Sequence, residues 1–118
     1  MNYYAKNIIL VKGDTYTNTF EINNLMQKLD NAIFNIKNGL NDNDEVLVSK
    51  TLDDGITIVS ENNDLSKINY VVRLAPEDTK ILQSGTYYYE LKIGVNNDVF
   101  TIMKGEFILL QNCEEEES

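Results

Sequence analysis

A chain of 118 residues with 10 basic and 19 acidic side chains has a formal net charge of -9, the wrong sign for a surface that tracks nucleic-acid phosphates. Its 42% hydrophobic and 25% charged content suits one globular domain with its own core rather than a disordered or membrane class, and no run reaches membrane-spanning length. Neither nucleic acid nor membrane is therefore expected as a partner.

The opening MNYYAKNIILVKGD turns polar too soon for a secretory signal, so the chain is expected to stay in the cell that makes it. Residues 7–12 form an apolar run that ends at the turn pair Gly13-Asp14. Residues 15–22 follow, with Tyr16, Phe20 and Ile22 at period-two spacing. These segments read as two antiparallel strands, with Asn18 interrupting the apolar face of the second. Leu25, Met26 and Leu29 have the spacing of one helical turn, with Asn23-Asn24 available as a cap; as a crossover they would plug the end of a sandwich. Ala32, Phe34 and Ile36 then alternate with Ile33, Asn35 and Lys37, a third strand with Phe34 as core anchor.

Residues 38–45, NGLNDNDE, are polar and turn-rich and should be the longest exposed loop. Short strands at 45–50 and 55–60 flank the Asp54-Gly55 pair, a hairpin signal. The next strand, 68–74, turns Ile68, Tyr70, Val72 and Leu74 inward, against the later Tyr87 strand or the sheet facing it.

Pro76 suits the first position of a helical turn, Glu77 and Asp78 its positive end, Lys80 its negative end, and Gly85 can turn the chain out. A short helical turn near residues 76–82 should thus feed the following strand. There Tyr87, Tyr89, Leu91 and Ile93 alternate with Thr86, Tyr88, Glu90 and Lys92, the pattern of a half-buried strand. Asn96-Asn97-Asp98 makes the last hairpin. Residues 99–110 return as a long strand beside the Tyr87 strand, with a bulge or bend at Gly105. Residues 1–112 thus read as a single domain, and 113–118, CEEEES, as an acidic tail whose like charges resist packing.

Counted together, about seven to nine short strands with regularly spaced turns predict an all-β antiparallel sandwich. The run SGTYYYEL resembles the tyrosine corner of immunoglobulin-like sandwiches. That resemblance gives Tyr87 the hydrogen bond back to the preceding crossover and places Tyr89 where antibody domains carry their second cysteine. A fuller pattern combines GDT at residues 13–15, LAPEDTKILQSGTYYYEL, and TIMKGEF at 101–107. In that order it resembles the amino-terminal domain of phage baseplate upper proteins, found in tail tips and prophages of Gram-positive bacteria. The resemblance implies a non-enzymatic connector domain, with other baseplate proteins as partners, located in the virion tail or in the host cytoplasm before assembly.

Tests for chemistry return little. The chain has no His, so the commonest general base and metal imidazole are missing. The single Cys113 cannot form an intramolecular disulfide, which fits a cytosolic folding compartment. Beside a row of glutamates, with no activating base, it reads as inert. Asn41-Asp42-Asn43-Asp44-Glu45 invites a calcium reading but lacks the glycine and terminal glutamate of the twelve-residue calcium loop. Gly13 and Gly105 are isolated and form no phosphate cradle. No catalytic residue, cofactor or metal is expected.

An assembly surface is expected instead. In an immunoglobulin-like arrangement the Phe34, Tyr89 and final strands share one sheet, so Ile33 and Tyr88 face outward. Either Ile108 and Leu110 or Phe107 and Leu109 join them in an apolar patch, which would favour a homo-oligomer or a protein partner. Tyr3, Tyr4 and Tyr88 could instead make a stacking platform, the alternative being a small carbohydrate-binding or adhesion module.

Overall fold

The computed structural model describes residues 4–41 and 43–113. In chain order the elements are β1 (Tyr4–Ala5), β2 (Ile8–Val11), β3 (Tyr16–Asn23), β4 (Asn31–Lys37), β5 (Val46–Leu52), β6 (Gly55–Glu61), β7 (Lys67–Leu74), α1 (Pro76–Lys80), β8 (Gly85–Val95) and β9 (Asp98–Leu110). Hydrogen bonding runs in the order β1-β9-β8-β4-β5-β6-β7-β3, with β2 following β1 on the same edge of β9. The path bends into two layers at the β5–β6 junction, where the only pairing is Thr51↔Gly55 and Leu52↔Ile56 around the connecting turn. One layer is β1/β2-β9-β8-β4-β5 and the other β6-β7-β3. This is the strand order of an immunoglobulin-like sandwich, antiparallel except that β1 and β2 run parallel to β9 and the two-rung contact of β5 with β6 is parallel.

Period-two patterning builds the core. Ala32, Phe34 and Ile36 of β4 and Tyr89, Leu91 and Ile93 of β8 are buried. So are Met103, Phe107 and Leu109 of β9, and these face the buried Ile68, Tyr70, Val72 and Leu74 of β7. Phe34 stacks on Tyr89 with ring centroids 5.5 Å apart, and Phe20 on its cross-strand neighbour Tyr70 at 5.3 Å. Asn18, on the inward face of β3, donates its amide to the Met103 sulfur at 3.3 Å and so links the two layers. The helical turn opens with an Asp78 N–H bond to the Ala75 carbonyl at 3.0 Å and ends at Lys80, where the Leu82 N–H bonds the Thr79 carbonyl at 2.9 Å. Gly13 donates its N–H to the buried Thr79 hydroxyl at 3.1 Å, tying the first turn to this helix.

Four local expectations are corrected. The segments at 7–12 and 15–22 do not pair with each other: β2 lies on β9 and β3 on β7, in opposite layers. Leu25, Met26 and Leu29 make no helical turn, because Asn24 and Met26 have φ of 62° and 61°, left-handed values that interrupt one. Leu29 still plugs the sandwich, its N–H bonded to the Tyr70 hydroxyl at 3.0 Å. Asp54-Gly55 makes a turn but no hairpin. Positive φ falls on Asp53 (65°) and Gly55 (101°), whereas a two-residue hairpin turn of type I′ needs it on two adjacent central residues. Asn96 (54°) and Asn97 (68°) meet that requirement and close the β8–β9 hairpin at Val95↔Asp98. Gly105 lies in regular register opposite Tyr89; the β8–β9 register shift instead falls between Leu91 and Lys92.

Candidate functional site

Local chemistry organises the end of the sandwich around α1. Tyr87, on β8, donates its hydroxyl to the Gln83 carbonyl at 2.6 Å, four residues back in the crossover. Gly85 begins the strand with φ of 154°, a conformation L side chains rarely adopt. The Asp78 carboxylate accepts the Ala75 N–H at 2.7 Å and the Lys50 ammonium at 3.0 Å, pinning the helix to β5.

A second knot holds the amino-terminal strands. The Tyr89 hydroxyl donates to the Lys6 carbonyl between β1 and β2. A Cβ built on Gly105 would lie 2.2 Å from that same carbonyl oxygen, so only glycine allows the segment this close. The Asn7 side-chain oxygen accepts the Glu106 N–H at 3.0 Å, substituting for a backbone acceptor in the ladder. Burial, aided by the neighbouring Tyr16 phenol, pushes the Tyr89 hydroxyl pKa up to about 12, and burial does the same for Tyr16.

On the outward face of β9 stand Ile108 and Leu110, while Phe107 and Leu109 are buried. Ile33 does not join them. It pairs with Lys92 of β8, whereas Ile108 pairs with Thr86, six positions away and about 20 Å along an extended strand. Glu90 and Lys104 pair across the space between. Tyr88, paired with Glu106, is half-buried on that stretch. The residues that do adjoin Ile108 and Leu110 are Ile9 and Val11 of β2. Ile9 is 64% exposed and Leu110 45%, so the apolar surface is a compact edge patch made by two parallel strands. Nothing in the sequence pairs β2 with β9, and for that reason Ile9 was not foreseen there.

Tyr88 instead borders a hollow of about 230 Å³ with Leu40, Glu90 and Lys104, below the usual size of a small-molecule pocket. In the polar loop the Asp44 carboxylate accepts the Asn41 N–H at 2.8 Å, and the Lys37 ammonium bonds the Asn41 carbonyl at 2.8 Å. Asp42 lies outside the described residues, as do Tyr3 and positions 114–118 of the expected tail; Cys113 is exposed. Among the described residues no three His, Cys, Asp or Glu side chains come together as a metal site.

The sequence also gives no hint of a groove along one side of the sandwich. Phe20 and Ile22 of β3 with Leu25 form one wall, and Phe100 and Ile102 of β9 the other, enclosing about 520 Å³. Its charged lining residues are Glu21 and Asp98. Among the described residues, the early strands lie on β9 from Met103 onward.

No family model matches the chain, and no curated protein sequence does. Two solved structures are similar over 92% of this chain and 92% of theirs. One shows parallel homodimers of the extracellular domains of the voltage-gated sodium channel beta4 subunit, at 11% identity and a TM-score of 0.39. The other concerns multimeric cell-adhesive interactions of the same channel's beta subunits, at 15% identity and a TM-score of 0.37. Likeness at this level carries no partner or role across to this chain.

Proposed function

We propose that this chain is a non-catalytic immunoglobulin-like module that works through protein contacts, as a connector domain of a phage or prophage tail baseplate. The observation that carries the contact role is the edge patch in which Ile9 and Val11 of β2 adjoin Ile108 and Leu110 of β9. The baseplate setting rests on the GDT, LAPEDTKILQSGTYYYEL and TIMKGEF pattern in the sequence. Apolar side chains standing out from two adjacent strands favour burial against another protein surface, here a second copy of the chain in a ring. Light scattering on chromatographed protein, in reducing buffer so that Cys113 cannot bridge chains, should give a defined oligomer. The double variant Ile9→Lys, Leu110→Lys should give a folded monomer. A monomer at every concentration would sink self-assembly through this patch.

A small carbohydrate-binding or adhesion module is the other reading, favoured by the Tyr88 hollow with its flanking Glu90 and Lys104. Glycan binding that is lost in Tyr88→Ala and kept in Ile9→Lys would establish it.

A further inference from the structure

Asn38 and Gly39 stand where β4 gives way to the polar loop. Asn38 follows the last strand residue, Lys37, and is exposed. Its backbone N–H bonds the Glu45 carbonyl at 3.2 Å and closes the β4–β5 hairpin. Of the sixteen asparagines in the chain, Asn38 is the one followed by glycine. That pairing matters because a backbone nitrogen can attack the side-chain carbonyl carbon of the asparagine before it. A Cβ on the attacking residue hinders the approach, and glycine has none.

The loop itself demands this glycine. A Cβ built on Gly39 would lie 2.8 Å from the Asp44 carboxyl carbon. That carboxylate is held in place by the Asn41 N–H at 2.8 Å, so any larger residue at position 39 would have to push it off its bond. Asn31 and Asn35 lie within β4, where the ladder to β5 and β8 fixes the backbone, whereas residues 38–40 form a bend past the end of the strand. The geometry that keeps glycine in the loop therefore also leaves the asparagine before it open to attack.

We propose that Asn38 is a self-modifying site in the folded domain. The Gly39 nitrogen, losing its proton to solvent, forms a bond to the Asn38 side-chain carbonyl carbon, and the carbon–nitrogen bond of the side-chain amide breaks to release ammonia. Water then opens the five-membered imide at one of its two carbonyls, giving aspartate or isoaspartate. Either product adds one negative charge to a chain already at -9. In isoaspartate the main chain runs through the former side chain and is one carbon longer, directly before Gly39 and Leu40. Those two residues line the Tyr88 hollow, so the wall of the hollow changes with the age of the molecule. This inference is independent of the edge patch and of either reading of function.

The test is to hold the full chain in neutral buffer at body temperature, with amide NMR confirming that it stays folded, and to map its peptides by mass over time. Residue 38 should be the first asparagine to gain the mass difference between a carboxamide and a carboxylate, faster at higher pH. Two products should separate, one of them a substrate for an isoaspartyl methyltransferase. Asn38→Gln should abolish the conversion at that position, and Gly39→Ala should slow it about ten-fold. Should Gly39→Ala disturb the loop, Gly39→Ala with Asp44→Ser removes the carboxylate in its way and serves in its place. Amide shifts at Leu40 and Tyr88 should appear in the aged parent and stay absent in Asn38→Gln. An intact Asn38 while other asparagines convert, conversion in urea but not in the folded chain, or equal rates with glycine and alanine at position 39 would overturn the proposal. Aspartate formed without isoaspartate would also overturn it, since that outcome is direct hydrolysis and needs no imide.

Discussion

The knot at Lys6 can be tested by asking whether two residues act on one carbonyl. Tyr89→Phe removes the hydroxyl that donates to the Lys6 oxygen and leaves the ring stacked on Phe34, so it should cost about 1–2 kcal/mol, the cost of one half-buried hydrogen bond with its acceptor left behind. Gly105→Ala places a Cβ 2.2 Å from the same oxygen and 2.8 Å from the Lys6 carbonyl carbon. Both are backbone atoms that no side-chain rotation can move aside, so the segment must lift off β9 at about 1–3 kcal/mol. Once it has lifted, the Tyr89 hydroxyl has already lost its acceptor. The double variant should therefore cost about 1 kcal/mol less than the sum of the singles. Urea unfolding at pH 7 supplies the four stabilities of the cycle. Strict additivity would refute the shared-carbonyl reasoning, as would a Gly105→Ala change within about 0.5 kcal/mol of the parent.

Further outcomes follow from the core and the helix. Tyr16 and Tyr89 hold their protons up to about 12 in the folded protein against an ordinary value of 10.0. Between those values the folded state binds more protons, so this part of the stability is fully present below pH 10 and is lost as pH rises through about 12. Urea midpoints measured from pH 8 to 12 should fall accordingly, and less steeply in Tyr16→Phe. Phe34→Ala empties a fully buried site and should cost about 3–5 kcal/mol in the same assay; a value under about 1 would mean the layers close over the gap. Asp78→Ala removes the acceptor of both the Ala75 N–H and the Lys50 ammonium and should cost about 2 kcal/mol. Asp78→Asn can keep the first bond and should recover about half of that loss.

Strand positions were legible where side chains alternate over five or more residues, as in β4, β7 and β8, because burial on one face imposes that period directly. The Asn96-Asn97 hairpin was legible for a different reason: two adjacent residues that tolerate positive φ announce the turn they make. Pairing was not legible for the first strands. An apolar run such as IILV fits either layer, and its parallel partnership with β9 depends on contacts about a hundred positions away. The role of Gly105 was misread because glycine's lack of a side chain serves a bend and a close backbone approach equally well, and only the position of Lys6 distinguishes them. The outward surface failed for the related reason that each residue's face follows from parity, whereas adjacency needs register. Ile33 and Ile108 face the same way yet stand far apart.

The parallel course of the first strands along the last also decides how the domain would answer to a pull. Tyr4 pairs with Met103 and Val11 with Leu110, so the two segments run in the same direction along residues 103–110 of β9. Tension applied between Tyr4 and Leu110 therefore slides β1 and β2 along β9 instead of unzipping them, and every rung of the ladder is strained at once. The Tyr89 hydroxyl and the Asn7 amide cross that seam part-way along and add side-chain ties against the same sliding. A domain joined to its neighbours through these two strands would bear load like a lap joint, yielding late and all together.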